Sequence, residues 1–61
     1  MKVSEMKKLL RRIGCIVIRN GNNHEIWYSP VTNQHFTVPR HNAKELPTGT
    51  AHSIMKQAGL E

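Results

Sequence analysis

At 61 residues the chain has room for one small domain, and a fold of this size removes only roughly 60% of its unfolded surface from water. One cysteine, Cys15, excludes an internal disulfide, and apolar runs far shorter than the roughly 20 residues of a membrane span predict no transmembrane helix. Nine Lys and Arg residues against four Glu residues give a formal charge of +5, which favours a nucleic-acid partner, although an acidic protein would suit the same field.

Compartment and cofactors are predicted from the same composition. No signal peptide is predicted, because five basic residues interrupt positions 1–13. A lone cysteine beside three methionines fits a reducing compartment, so we expect a cytoplasmic protein. From the length, we expect a single domain over residues 1–61. The four histidines lack the short spacing of zinc motifs, and neither a metal nor another cofactor is expected.

The first predicted element is a helix over residues 4–13. Apolar side chains at Met6, Leu9, Leu10 and Ile13 follow the i, i+3, i+4, i+7 spacing of one helical face. Ser4 is the expected N-cap, and Gly14 is placed to end the helix. The outer face of this helix is expected to carry four basic residues, Lys7, Lys8, Arg11 and Arg12.

Three short strands are predicted next, over residues 15–19, 24–29 and 34–38. Turn-forming residues fill 20–23 and 30–33, so the strands should form an antiparallel meander that Pro39 ends. Strand parity makes Ile16, Ile18, Phe36 and Val38 the best core candidates. The second strand leaves two alternatives open, since either Ile26 with Tyr28 or Glu25 with Trp27 faces inward.

A loop over residues 39–47, which holds two prolines, leads to a second helix over residues 48–58. Ala51, Ile54, Met55 and Ala58 repeat the helical spacing, and Gly59 follows as a stop. Each helix has a single apolar stripe, so both should pack on one face of the sheet. The sequence therefore predicts an α+β fold in the order α-β-β-β-α.

Most arrangements that support catalysis are missing from the sequence. Cys15 lies in an apolar strand with nothing to lower its thiol pKa, and the four glutamates are too scattered for a two-carboxylate hydrolase. What remains is the turn before His24, where Arg19, Asn22 and Asn23 place cationic and amide groups beside an imidazole. Histidine is suited to moving protons near neutral pH.

Taken alone, this turn is a weak signal, because asparagine-rich turns often carry polar residues that only hydrogen-bond the backbone. His41, beside Arg40 in the following loop, is a second candidate, and His35 and His52 rank lower. A domain of this kind is also compatible with RNA binding without cleavage, in which His24 would contact a base or a 2′-OH. A third alternative is a small interaction protein whose basic face docks on an acidic partner.

Three motifs, in their order and spacing, resemble the HicA toxins over nearly the whole chain. They are Gly21-Asn22-Asn23-His24, then Phe36-Thr37-Val38-Pro39-Arg40-His41, then Gly49-Thr50 followed by Ile54-Met55-Lys56-Gln57-Ala58-Gly59-Leu60. The resemblance implies a fold like that of double-stranded-RNA-binding domains. It also implies an mRNA-cleaving endoribonuclease that arrests translation and is neutralised by a HicB antitoxin, which would cover the active site.

The resemblance also suggests roles for individual residues. The catalytic histidine of the family maps onto His24, with Asn23 standing where serine is common. No second catalytic group is carried over. Independently of the resemblance, the positive charge around the first helix and the turn leads us to expect RNA contacts from the basic residues there and from the turn amides, namely Lys7, Lys8, Arg11, Arg12, Arg19, Asn22, Asn23 and Arg40.

Overall fold

The computed structural model describes all 61 residues and contains two helices and three strands in the order α-β-β-β-α. Helix α1 spans Val3–Arg12 and helix α2 spans Thr48–Ala58. The strands are β1 at Ile16–Asn20, β2 at His24–Ser29 and β3 at Gln34–Pro39. The predicted order is confirmed, and the bounds of β2 and α2 are those expected from the sequence. Neither helix is long and apolar enough to span a bilayer.

The strands form one sheet in the order β1-β2-β3, with both neighbouring pairs antiparallel. One hydrophobic cluster joins residues from both helices and from one face of the sheet, which confirms the predicted packing. We call the other face, which carries Ile16, Ile18, Ile26 and Tyr28, the open face. The result is an α+β fold of the double-stranded-RNA-binding-domain type.

The burial of Trp27 shows which face of β2 points toward the helices. It is completely buried, and it pairs across the ladder with Phe36, which is also buried. Because alternate residues of a strand point to opposite faces, Glu25 lies on the helix side with Trp27. His24, Ile26 and Tyr28 therefore belong to the open face.

The prediction that Ile16 and Ile18 are core residues is wrong. They are 55% and 47% exposed, whereas Phe36 and Val38 are 4% and 0% exposed, as predicted. In β1 it is Val17 that pairs with the buried Trp27, and directly opposed residues share a face. A register shift between Val17 and Arg19 then changes the alternation along β1.

Helix α1 begins at Val3, so the predicted N-cap role of Ser4 is also wrong. The loop before α2 caps the helix with main-chain carbonyls: Val3 N donates to Lys44 O at 2.9 Å, and Ser4 N donates to Asn42 O at 3.0 Å. The Glu5 carboxylate accepts a further bond from Lys2 N at 2.9 Å. Main-chain carbonyls some forty positions away thus take the place of the predicted Ser4 cap, beside the local bond to Glu5.

The end of α2 is fixed to the turn between β2 and β3. Gly59 takes a left-handed conformation with φ of +93°, and its N–H donates to Met55 O at 3.0 Å. The buried hydroxyl of Ser29 donates to Ala58 O at 2.6 Å, and Thr32 Oγ1 donates to Gln57 O. The β1–β2 hairpin lies at the opposite end of β2, away from these contacts.

Candidate active site at the first hairpin

Residues 21–23 form the tip of the β1–β2 hairpin and place His24 at the start of β2. Gly21 N donates to His24 O at 2.7 Å, and Arg40 N donates to Asn23 O at 3.0 Å. A Cβ on Gly21 would lie 2.9 Å from His24 O, closer than ordinary contacts allow. The tip is therefore held on one side by its own backbone and on the other by the chain beyond β3.

The exposed His24 lies in an open depression of about 320 Å³. Ile26 is the one apolar residue of its lining, and the other lining residues are polar or glycine, namely Arg19, Gly21, Asn22, Asn23 and His24 itself. Four of the predicted site residues thus meet here. Arg40 lies beside them, with its guanidinium Nη1 3.5 Å from Gly21 O.

Lys8, Arg11 and Arg12 are exposed on α1 and do not line this depression. Arg11 lies over the buried indole of Trp27, with its Cζ 5.3 Å from the ring centroid, in the geometry of a cation–π contact. The predicted basic residues therefore divide into a group at the hairpin and a group on α1.

Lys7 is not on the outer face of α1, and this part of the prediction is wrong. The residue is only 5% exposed. Its ammonium lies 3.0 Å from Glu25 Oε1, and it donates to Asn42 Oδ1 at 2.7 Å and to Arg40 O at 3.2 Å. A buried ammonium needs such partners because burial without them costs several kcal/mol. Its charge is used inside the protein and does not face solvent.

Glu25 and Asn42, the partners of Lys7, were not predicted from the sequence. Burial would raise the pKa of the Glu25 carboxyl, but hydrogen bonds from Lys7 and Trp27, with the charges of Lys7 and Arg11, outweigh it and leave the pKa below its ordinary value. Trp27 Nε1 donates to the same carboxylate oxygen at 3.1 Å. The sequence offered one indication for Glu25: it is two residues from Trp27 in the same strand, so the two side chains lie on the same face of the sheet.

The remaining histidines lie apart from the hairpin depression. The His35 ring packs against Tyr28 with centroids 5.2 Å apart, and His52 Nδ1 lies 3.7 Å from Glu61. His41 is exposed in the loop after β3. The His, Cys and Glu side chains form no group of three that would be placed to hold a metal ion.

Fold and site together define a small basic domain of the double-stranded-RNA-binding-domain type, with a histidine on an exposed, amide-lined hairpin. The family model for the HicA toxin of bacterial toxin–antitoxin systems matches residues 3–60, which is nearly the whole chain. The chain therefore belongs to the HicA toxin family. No curated protein sequence is significantly similar to it.

Proposed function

We propose that this protein is an endoribonuclease that cleaves mRNA and uses His24 in general acid or base catalysis. One observation carries the proposal: an exposed imidazole lies in an open depression with Arg19 and two asparagine side chains. RNA cleavage requires a group that accepts the 2′-OH proton and cations near the developing negative charge. The hairpin offers both kinds of group, and family membership supports the assignment.

In the proposed reaction, His24 takes the proton of a ribose 2′-OH as that oxygen attacks the adjacent phosphorus. A bond from O2′ to phosphorus forms, and the bond from phosphorus to the 5′ oxygen of the next nucleotide breaks. The departing oxygen takes a proton from water and becomes a 5′-OH, and His24 gives the 2′-OH proton back to solvent. The upstream fragment keeps a 2′,3′-cyclic phosphate, which hydrolyses to a 3′-phosphate. No metal takes part in this scheme.

Cationic side chains near the depression would hold the RNA backbone. Arg19 lines the depression and Arg40 reaches the hairpin carbonyl of Gly21, so both are placed to contact phosphates around His24. Asn22 and Asn23 offer amide donors for phosphate or sugar oxygens. Lys8, Arg11 and Arg12 on α1 would add contacts farther along the RNA strand. Lys7 is no longer counted among the RNA contacts, because its ammonium is already paired with Glu25.

The proposed protein partner is a HicB antitoxin that covers the hairpin. Membership of a toxin–antitoxin family supports a neutralising partner. Exposed apolar residues such as Ile16 and Ile18 on the open face supply surface that such a partner would bury. An antitoxin seated there would lie next to His24, which is on the same face.

The test compares wild type with His24→Ala on single-stranded RNA, in EDTA, with growth arrest on expression as a second measurement. General acid or base catalysis contributes about 100- to 10,000-fold, so His24→Ala should lose at least about 100-fold in cleavage rate while keeping its fold. His52→Ala, an exposed histidine on α2, is the matched control and should cleave like wild type. His41→Ala tests the second candidate.

Each contrary result has a separate meaning. Full cleavage by a folded His24→Ala protein contradicts the catalytic assignment. Binding of RNA without cleavage by wild type supports the alternative of a binding module. Cleavage that is lost only when EDTA is added indicates a metal-dependent reaction.

A further inference from the structure

Lys7 is the only buried charged residue in the molecule. Its side chain is 6% exposed, and its three acceptors come from two different segments, β2 and the loop after β3. A lysine ammonium has three hydrogens to donate, so Glu25, Asn42 and the Arg40 carbonyl use its full capacity. No hydrogen remains for a bound phosphate.

The contacts of Lys7 converge on the neighbours of His24. Glu25 follows His24 in β2, which places one end of the ion pair next to the catalytic position. On the other side, Lys7 Nζ donates to Arg40 O, while Arg40 N donates to Asn23 O at 3.0 Å. A single residue, Arg40, thus links Lys7 to the main chain immediately before His24.

Arg40 depends on this link because the sheet does not hold it. Strand β3 ends at Pro39, which pairs with His24, and Arg40 lies beyond the ladder. Its main chain is instead fixed by the bonds to Asn23 and from Lys7. Stability alone does not require a charged residue here, since apolar replacements of buried ion pairs are often neutral or stabilising.

We propose that Lys7 is a positioning residue: its ammonium fixes the Arg40 main chain against the hairpin and so sets the placement of Arg40 and His24 around the scissile phosphate. The proposal rests on the proposed ribonuclease function. Lys7 itself does not contact the RNA. A displacement of about 1 Å at a reacting group can cost about 100-fold in rate, so loss of this link should lower turnover more than binding.

The experiment uses Lys7→Met, which keeps an unbranched side chain but lacks the terminal ammonium, with Lys56→Met on α2 as the matched control. A double variant, Lys7→Met with Glu25→Gln, avoids leaving a buried carboxylate unpaired if the single variant folds poorly. Three quantities are measured: amide hydrogen exchange at Arg40, kcat and KM for RNA cleavage, and the slope of log affinity against log salt.

We expect the Arg40 amide to exchange at least about tenfold faster in the Lys7 variants, because its bond to Asn23 is no longer held in place. The Gly59 amide, at the other end of the molecule, should keep its exchange rate. We expect kcat to fall at least about tenfold with KM near wild type. The salt slope should not change, and Lys56→Met should resemble wild type throughout.

Unchanged Arg40 exchange, or an unchanged kcat in a folded variant, would overturn the positioning role. A salt slope lowered by about 0.7 would show that Lys7 contacts phosphate directly and would also overturn it. If wild type itself cleaves no RNA, the proposed function fails and the positioning role in cleavage fails with it. A cleaving wild type beside an unaffected Lys7→Met protein contradicts the positioning role alone.

Discussion

The main-chain nitrogen of Gly21 donates a 2.7 Å hydrogen bond to the main-chain oxygen of His24, so the two ends of the hairpin tip are in direct contact. A methyl group on Gly21 would lie 2.9 Å from that oxygen. Because the oxygen belongs to the backbone, it can move only together with the residue that carries it. The backbone position of His24 therefore depends on the absence of a side chain at Gly21.

Gly21→Ala should accordingly reduce RNA cleavage by about tenfold or more, because the imidazole is displaced with its backbone. The matched control is Gly49→Ala, where an added Cβ meets no atom within 4 Å. Gly49 is helical, so alanine there should keep full activity and raise the free energy of unfolding by up to about 1 kcal/mol. Equal cleavage by the two variants would contradict this account of the hairpin.

The salt dependence of RNA affinity should change when Arg19 of the hairpin is replaced and should not change when Lys56 of α2 is replaced. Arg19→Gln should lower the slope of log affinity against log salt by about 0.7, the value for one phosphate contact on a single strand. Lys56→Gln should leave the slope unchanged, since Lys56 lies in the last turn of α2, by the β2–β3 turn. Fluorescence anisotropy with an RNA oligonucleotide, in a His24→Ala background to prevent cleavage, measures both. Equal slopes would assign the charge of Arg19 to another role.

The Glu25 carboxylate should make stability fall at acid pH. Its pKa is lower in the folded protein than its ordinary value, so its contribution is present above the ordinary value and is lost as the pH falls through the folded one. The free energy of unfolding of wild type should therefore decrease below about pH 4, and that of Glu25→Gln should decrease less. Urea titrations across the acid range measure this.

Glu45 provides the comparison for that titration. Its pKa is also lowered, chiefly by a hydrogen bond from the N-terminal amine, but the group is exposed. Exposed ion pairs contribute little to stability, so Glu45→Gln should keep most of the wild-type acid response. A larger effect from Glu45→Gln than from Glu25→Gln would show that the buried pair does not control acid stability.

Ser29 should be a stability residue with no role in catalysis. Its buried hydroxyl donates to Ala58 O at 2.6 Å and accepts from Val31 N at 3.2 Å. Ser29→Ala leaves the buried Ala58 carbonyl without this donor and should cost about 1–3 kcal/mol in the free energy of unfolding. Ser53→Ala, at an exposed position of α2, should change it by less than about 0.5 kcal/mol. A Ser29→Ala protein as stable as wild type would refute this role.

Element order and helix positions followed from the sequence because their signals are local. The spacing of apolar residues and the glycines after each helix were sufficient to place α1 and α2 within one or two residues of the observed bounds. The hairpin histidine was also found, since turn residues and His24 are contiguous in the chain. Arg19, Asn22 and Asn23 were grouped with His24 for the same reason.

The errors have nonlocal causes. Ile16 and Ile18 were assigned to the core, but Val17 pairs with the buried Trp27 of the neighbouring strand, so both isoleucines lie on the open face. Ser4 was expected to cap α1, but carbonyls of Asn42 and Lys44 do so. Lys7 was placed at the surface because lysine usually is, and only the partners in β2 and the distant loop make its burial possible.

The capping of α1 by Asn42 and Lys44 has a consequence for the newly made chain. The first helix is synthesised before the residues that complete its N-terminal turn, and Asn42, which accepts a hydrogen bond from the Lys7 ammonium, also comes later in the chain. Contacts between distant parts of a chain slow folding, and a short isolated helix is only marginally stable in water. The hairpin and the N-terminal turn of α1 should therefore take their final arrangement only after the loop before α2 has been synthesised.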